Sequence, residues 1–461
     1  MSANSNQETL VQKQLIRTVN GSTPKLDANN WIGEIPRTWR LVKLKYVADI
    51  FASNVDKKTV DGQSVVRLCN YTDVYYNERI NPEMDFMTAS ATSEQIEKFS
   101  LKKNDVIITK DSETPDDIGI ATYVSEDIPG VICGYHLSMI RPKNNNSGIF
   151  LKHLFDSHYV KSKFETQANG VTRYGLGSYA VENLLIPLPP ADEQKNIANF
   201  LDRETSKIDE LIQKQERLIG FLEEKRQVAI SNAITKGFKL NVKFKNSQVE
   251  WYGQIPEEWI VTKFKYLIVK PLQYGASESG DDFQEGHPRY VRITDIDSNS
   301  RLKVENIKTL PPDIASQYML NDGDILFARS GATVGKSFIY ETSFGPACFA
   351  GYLIKASVDI KKIKPKYLKY ITESHMYWEY ILGTQSKSTI QNVNAEKYSE
   401  LPIPLPSIEE QDEICEKLEA ICYKVNQLLD FSRQSIGLLK ERRASLISAA
   451  VTGKIDVREL V

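Results

Sequence analysis

The chain has 461 residues, 26% of them charged, with 58 Lys and Arg against 60 Asp and Glu and a formal net charge of −2. With 41% apolar residues at this length it can bury several cores, which excludes global disorder. The near balance argues against a histone-like polybasic protein, while a basic face offset by acidic helices stays compatible with DNA.

The first segment, residues 1–25, reads as an N-terminal tail without the apolar stretch of a signal peptide. No apolar run approaches the roughly 20 residues of a membrane span, so a soluble, cytoplasmic protein without membrane contact is expected. Cys69, Cys133, Cys348, Cys415 and Cys422 form no C-x-x-C pair, and free buried thiols are expected.

Residues 26–190 follow as a mixed block. Short runs such as VIITK (106–110) and GVICGYHLSMI (130–140) predict strands, and 150–166 predicts a helix. LLIPLPPADEQ (184–194) ends the block, because proline joins neither a sheet ladder nor a helix interior. A long helix is predicted over 191–240, with Asp192 as N-cap. Its seam residues are Ile197, Leu201, Ile208, Leu211, Leu218, Leu222 and Ala229, alternating by three and four. The plan then repeats. WIGEIPRTWRLVKLKYVA (31–48) returns as WYGQIPEEWIVTKFKYLI (251–268), 220 residues on. Residues 241–406 form a second mixed block, ending in LPIPLPSIEEQ (401–411), and 407–461 a second long helix capped by Ser407. Its seam is Ile414, Leu418, Ile421, Val425, Leu428, Leu439 and Leu446, and Gln215 and Ser432 interrupt the two seams at equivalent places. The predicted fold is α+β: two tandem mixed α/β domains separated by two long antiparallel coiled-coil helices, with an internal pseudo-twofold repeat.

Between the repeats, VVRL (65–68) aligns with YVRI (290–293), making Arg67 and Arg292 equivalents, and CGY (133–135) aligns with AGY (350–352). Lys110 and Arg329 share a place at a strand end. A cation followed by small polar groups there, Arg329 with Ser330, suits DNA contact. GATVGKS (331–337) falls one residue short of a phosphate-binding loop. Its glycines predict tight turns that present Thr333 or Lys336. Two polar Gly-rich loops precede the junctions. One offers Asn169, Thr172, Arg173 and Tyr174, the other Gln385, Lys387, Ser388 and Gln391, the amide-and-cation mix that base edges require. Trp31, Trp39, Trp251 and Trp259 recur beside Ile-Pro and are expected to pack each block's entry segment. The helix over 191–237 carries nine acidic and eight basic residues, a balance that fits a protein partner better than a DNA groove. Glu223, Lys225, Arg226, Lys440, Arg442 and Arg443 are the candidates for that contact. No catalytic motif or metal-ligand spacing of the five His is present.

The duplicated Trp-x-Gly-x-Ile-Pro-x-x-Trp opening, the Ile-Pro-Leu-Pro junction with its Glu-Gln, and the long helix ending near Thr-Gly-Lys resemble the specificity (S) subunits of Type I restriction-modification systems, from about residue 31 to 461. DILFARSGATVGK in the second block is also typical of them, whereas DVIITKDSETPDDIGIA in the first departs. The resemblance implies two target recognition domains, two spacer helices and no catalysis by this chain. It further implies double-stranded DNA, two methyltransferase (modification) subunits and restriction/translocase subunits as partners. S-adenosylmethionine, ATP and Mg are implied on those partners and no cofactor on this chain. A scaffold that binds only protein is the alternative, against which the polar loops count.

Overall fold

The computed structural model describes residues 32–297, 302–331, 333–384 and 392–458. The tail, Trp31, Gln385, Lys387, Ser388 and Gln391 lie outside the described residues. The chain divides into two compact units, Met1–Gln215 with Gln434–Val461, and Glu216–Arg433.

The first unit is built on a five-stranded sheet in the order Ala48–Ala52, Leu137–Pro142, Val106–Thr109, Ala121–Val124, Arg79–Ile80. Its central strand Val106–Thr109 is buried at every position. Val106 and Ile108 join one core with the helices Gly148–Asp156 and His158–Gln167, while Ile107 joins another. Burial on both faces is why this strand reads as a continuous apolar run instead of an alternating one. A second sheet runs Met87–Ala91, Ser64–Cys69, Val131–Cys133. The second unit repeats the arrangement. Gln273–Tyr274, Leu353–Ala356, Ile325–Ala328 and Ser337–Ile339 form one sheet, and Asp281–Asp282, Lys308–Thr309, Arg289–Val291 and Ala347–Phe349 another.

The strand registers correct two of the predicted repeat alignments. Cys69 pairs with Cys133 as Val291 pairs with Phe349. Arg67 is therefore equivalent to Arg289, and Arg292 to Asn70, each of which receives a carboxylate on its backbone N–H, from Asp295 and Asp73. Arg292 is held bidentately by Asp295. Likewise Thr109 pairs with Leu137 as Ala328 pairs with Leu353. His136 therefore answers Tyr352, one residue away from the Cys-Gly-Tyr and Ala-Gly-Tyr match. Short loops of unequal length slide the sequence match by one or more residues, and only pairing fixes it.

The two long helices are Ala191–Lys236 and Ile408–Val451. Ser407 caps the second, accepting from the Glu410 N–H at 3.3 Å. Asp192 is not the cap of the first: it lies inside the first turn, where its charge still meets the helix's positive end. In the second unit Glu223 meets Arg433 and Lys239 meets Glu410, so the partners run antiparallel. The first unit packs Ile197 and Leu201 with Ile447, Ala450 and Val451. The seam departs from expectation at three doublets. Leu211, Leu218 and Leu428 are exposed, while Ile212 and Leu429 are buried and Ile219 packs against Leu222, Val425 and Leu429. Each doublet offers two apolar side chains 100° apart on the helix, and periodicity alone does not choose between them.

The duplicated motifs now have physical roles. Trp39 and Trp259 are buried, as the packing expectation required, whereas Trp251 is exposed against it. Gly453, in the turn after the second helix, faces Trp39 and Pro36; Gly237, after the first helix, faces Trp259. Both glycines have positive φ, +72° and +68°, the left-handed helix end that glycine tolerates. Burying each indole removes roughly 150–250 Å² from water, about 4–6 kcal/mol of transfer free energy. The junction glutamines are also buried. Gln194 Nε2 donates to Pro189 O and Asn146 Oδ1, while its Oε1 accepts from Ser147 N–H. Gln411 repeats this with Pro406 O, Lys362 O and Lys364 N–H. Each ties the first turn of a long helix to the mixed block beside it.

Candidate nucleic-acid interface

Lys110 and Arg329 occupy the same backbone frame. The Lys110 N–H donates to His136 O at 3.0 Å, and its carbonyl accepts from Leu176 N–H. The Arg329 N–H donates to Tyr352 O at 3.1 Å, and its carbonyl accepts from Val393 N–H. Both cations leave a fully buried strand and emerge half-buried at its end.

Around that shared frame the side chains differ. Lys110 Nζ lies 3.1 Å from Asp111 Oδ2 and 4.6 Å from the Tyr135 ring centroid. The same Asp111 oxygen lies 2.8 Å from His136 Nδ1. In the second unit the Arg329 guanidinium sits 4.8 Å over the Tyr274 ring and its Nη1 donates to Gly351 O. Among the described residues, its Nε and Asn392 Oδ1 are buried without a hydrogen-bond partner. Tyr135 and Tyr352 are exposed beside these cations.

The first polar loop is brought to Lys110 by a small sheet in the order Asn169–Gly170, Tyr174–Gly175, Asp111–Ser112. Asn169, Thr172 and Arg173 are exposed on it and Tyr174 is half-buried. Arg173 has no ion pair among the described residues. In the second unit Ser330 bridges to Asn392, so the segment after the undescribed 385–391 reaches the same strand end. Gly331 and Gly335, at φ +80° and +89°, turn the chain between Ile325–Ala328 and Ser337–Ile339. That is the expected tight turn, and it leads into a strand, not into the helix a phosphate-binding loop opens. Thr333 is half-buried on it and Lys336 exposed.

Asp111, Tyr135, His136, Tyr274, Tyr352 and Asn392 were not singled out by the sequence. Asp111 directly follows Lys110, but His136 and Tyr274 are brought near by strand pairing across 26 and 55 residues.

The helix candidates divide. Lys225, Lys440 and Arg442 are exposed. Glu223 meets Arg433 at 3.3 Å, Arg226 meets Glu373 at 2.8 Å, and Arg443 meets Asp209 and Glu78 at 3.0 and 2.9 Å. Burial opposes the Arg226 charge, yet Glu373 and Cys422 raise its pKa. Both helices also expose apolar side chains: Leu211, Leu218, Phe221 and Val228 on the first, Leu428, Phe431 and Leu438 on the second. Their spacings of seven and three make a second heptad-like row on each helix, apart from the seam between the helices.

All five cysteines are free and buried. No group of His, Cys, Asp or Glu among the described residues is arranged to hold a metal ion. No described helix is long and apolar enough to cross a membrane.

The chain matches the Type I restriction modification DNA specificity domain over residues 36–219 and 274–431. It is 27% identical over 334 residues to the Type I restriction enzyme MjaVIII specificity subunit of Methanocaldococcus jannaschii, covering 70% of this chain and 74% of the relative. It is 25% identical over 452 residues to the putative MjaX specificity subunit of the same organism, covering 93% and 96%. Among solved structures, a chain from work on complex assembly and conformational transition of the type I R-M system superposes with a TM-score of 0.72 at 19% identity, covering 91% of this chain and 99% of that one. The HsdS subunit from Thermoanaerobacter tengcongensis gives 0.52 at 19% identity, covering 91% and 98%. The chain thus belongs to the Type I restriction modification DNA specificity domain family, whose members serve as the non-catalytic specificity subunits of Type I restriction-modification systems.

Proposed function

We propose that this chain reads an asymmetric, bipartite double-stranded DNA target, one half-site with each unit, and that two modification subunits and the restriction subunits assemble on it. The observation that carries this reading is the pair of strand-end cations, alike in backbone frame and unlike in side chain. Lys110 presents a point charge held by Asp111, with His136 beside it; Arg329 presents a planar fork stacked on Tyr274. Both cations can engage guanine O6 and N7, but the fixed planar fork stacked on Tyr274 and the point charge held by Asp111 beside His136 present different donors and acceptors to a base edge, so the half-sites are expected to differ.

The exposed apolar rows on the long helices favour helical partners, and they, more than the charged ends, are where modification subunits would dock. S-adenosylmethionine, ATP and Mg belong on the partner subunits in this reading, with none on this chain, and the complex works in the cytoplasm. The test is selection from randomised duplex DNA by the chain assembled with its modification subunits. Lys110→Ala and Arg329→Ala should each relax base preference in one half-site only, by about 5- to 150-fold for a contact of roughly 1–3 kcal/mol. Equal loss in both half-sites, or on all DNA, would sink the assignment of one half-site to each cation.

A further inference from the structure

Each repeat carries Lys-x-Lys-Tyr after its Trp- and Pro-containing opening: Lys43, Lys45 and Tyr46 in the first unit, Lys263, Lys265 and Tyr266 in the second. In both, a strand ends and a single 3-10 turn, Leu44–Tyr46 or Phe264–Tyr266, follows at once. The turn brings both ammonium groups to one acceptor. In the first unit that acceptor is Asn183 Oδ1, 3.2 Å from Lys43 Nζ and 3.1 Å from Lys45 Nζ. In the second it is Glu400, 2.6 Å from each of Lys263 and Lys265. Lys45 and Lys265 also lie 5.6 and 5.4 Å from the ring centroids of Tyr46 and Tyr266.

The two copies differ in charge. Glu400 reduces its pair to a net single positive charge; hydrogen bonds from Lys263 and Lys265 hold its carboxyl below the usual range. Asn183 is neutral, and no carboxylate among the described residues forms an ion pair with Lys43 or Lys45. Two like charges drawn to one amide oxygen repel each other, and an anion placed between them would relieve this. Each ammonium has three donors, so both retain N–H groups for such an anion. Asn183 caps the short helix Ser178–Glu182, which follows the polar loop ending at Tyr174–Gly175. The lysine pair therefore lies at the C-terminal end of the short helix that follows the proposed reading loop, and Tyr46 and Tyr179 are exposed.

We infer that Lys43 and Lys45 form a phosphate-contact site for the DNA backbone at the end of the helix that follows the first unit's reading loop, and that Glu400 weakens the matching site in the second unit. The inference rests on the DNA reading proposed above. It predicts that the first unit contributes more to the salt dependence of binding than the second.

The test uses the chain assembled with its modification subunits, bound to its methylated-motif duplex and to a scrambled duplex between about 50 and 200 mM salt. Each phosphate contact adds about 0.9 to the slope of log K against log salt. Lys43→Gln with Lys45→Gln should lower the slope by about 0.9, the value for the one phosphate held between them, with equal fold loss on both duplexes. Lys263→Gln with Lys265→Gln should lower it less, and Glu400→Gln should raise it. If the double lysine variant proves unstable, Asn183→Asp keeps both lysines and should lower the slope on its own. An unchanged slope with intact wild-type binding overturns this site and leaves the DNA reading standing, as does a loss confined to the motif duplex. Failure of the wild-type complex to bind DNA overturns both.

Discussion

Gln411 gives the account a quantitative handle, because three hydrogen bonds converge on one side chain with no exposure. Its Nε2 donates to Lys362 O at 3.0 Å and Pro406 O at 3.1 Å, and its Oε1 accepts from Lys364 N–H at 2.9 Å. Gln411→Leu keeps the approximate volume and removes all three. A net protein hydrogen bond contributes about 1 kcal/mol, so the loss should be about 3 kcal/mol. The three partners, once orphaned, push the figure toward roughly 5; water reaching the exposed Lys362 segment pulls it back toward about 2. In a unit of this size about 3 kcal/mol corresponds to a fall of about 6–12 °C in the second unit's thermal transition. Calorimetry reads the transition, and hydrogen exchange reads the Lys364 amide, which should exchange faster. Gln411→Glu should be worse at neutral pH, since a buried carboxylate would face two carbonyl oxygens. Gln194→Leu should produce the same loss in the first unit, adding to the Gln411 effect because the sites share no partner. A Gln411→Leu shift below about 2 °C, with Lys364 protection unchanged, would refute the reasoning that these glutamines anchor the helices.

The two helix-end glycines should differ in tolerance. An added Cβ at Gly453 overlaps Pro36, whereas at Gly237 it comes to 3.1 Å from Trp259 and Glu410; Gly453→Ala should cost about 2–5 kcal/mol and Gly237→Ala about 1–2, read by denaturant unfolding. Asp202 supplies an acid-sensitive contribution. Burial opposes its charge, but His153 and Arg79, at 3.0 and 2.6 Å, outweigh that and lower its pKa. Its stabilising effect is therefore present above the ordinary aspartate value of about 3.9 and lost as pH falls through the lower folded value. The stability gap between wild type and Asp202→Asn should stay constant near neutrality and narrow below about pH 4; a gap that widens on acidification would contradict the assignment.

Much of this fold was legible because the chain states its plan twice. A Trp- and Pro-containing opening repeated at 220 residues cannot be mistaken for local periodicity, and it exposed both modules, both junctions and both long helices. What sequence could not supply was register. Arg67 was matched to Arg292 instead of Arg289 because a Val-Arg step occurs in both strands, and only the ladder of Cys69 to Cys133 and Val291 to Phe349 resolves it. The seam failed at Leu211, Leu218 and Leu428 for a related reason: an apolar neighbour one residue on competes for the inner face. Those exposed residues then turned out to mark a second face. At the candidate interface the strand-end cations were found from their repeat positions, while Asp111, His136 and Tyr274 were missed. Their relation to Lys110 and Arg329 comes from strand pairing and stacking, which leave no spacing signal in the chain.

The central claim is that two unlike reading sites on one chain specify an asymmetric split target. Mapping methylated adenines across the genome of cells carrying only this chain and its modification subunit tests it most directly. The account predicts one motif of two different short sequences separated by unspecified bases, with Arg329→Ala altering one of the two and Lys110→Ala the other. A contiguous or palindromic motif, or a single variant that alters both halves, would contradict it.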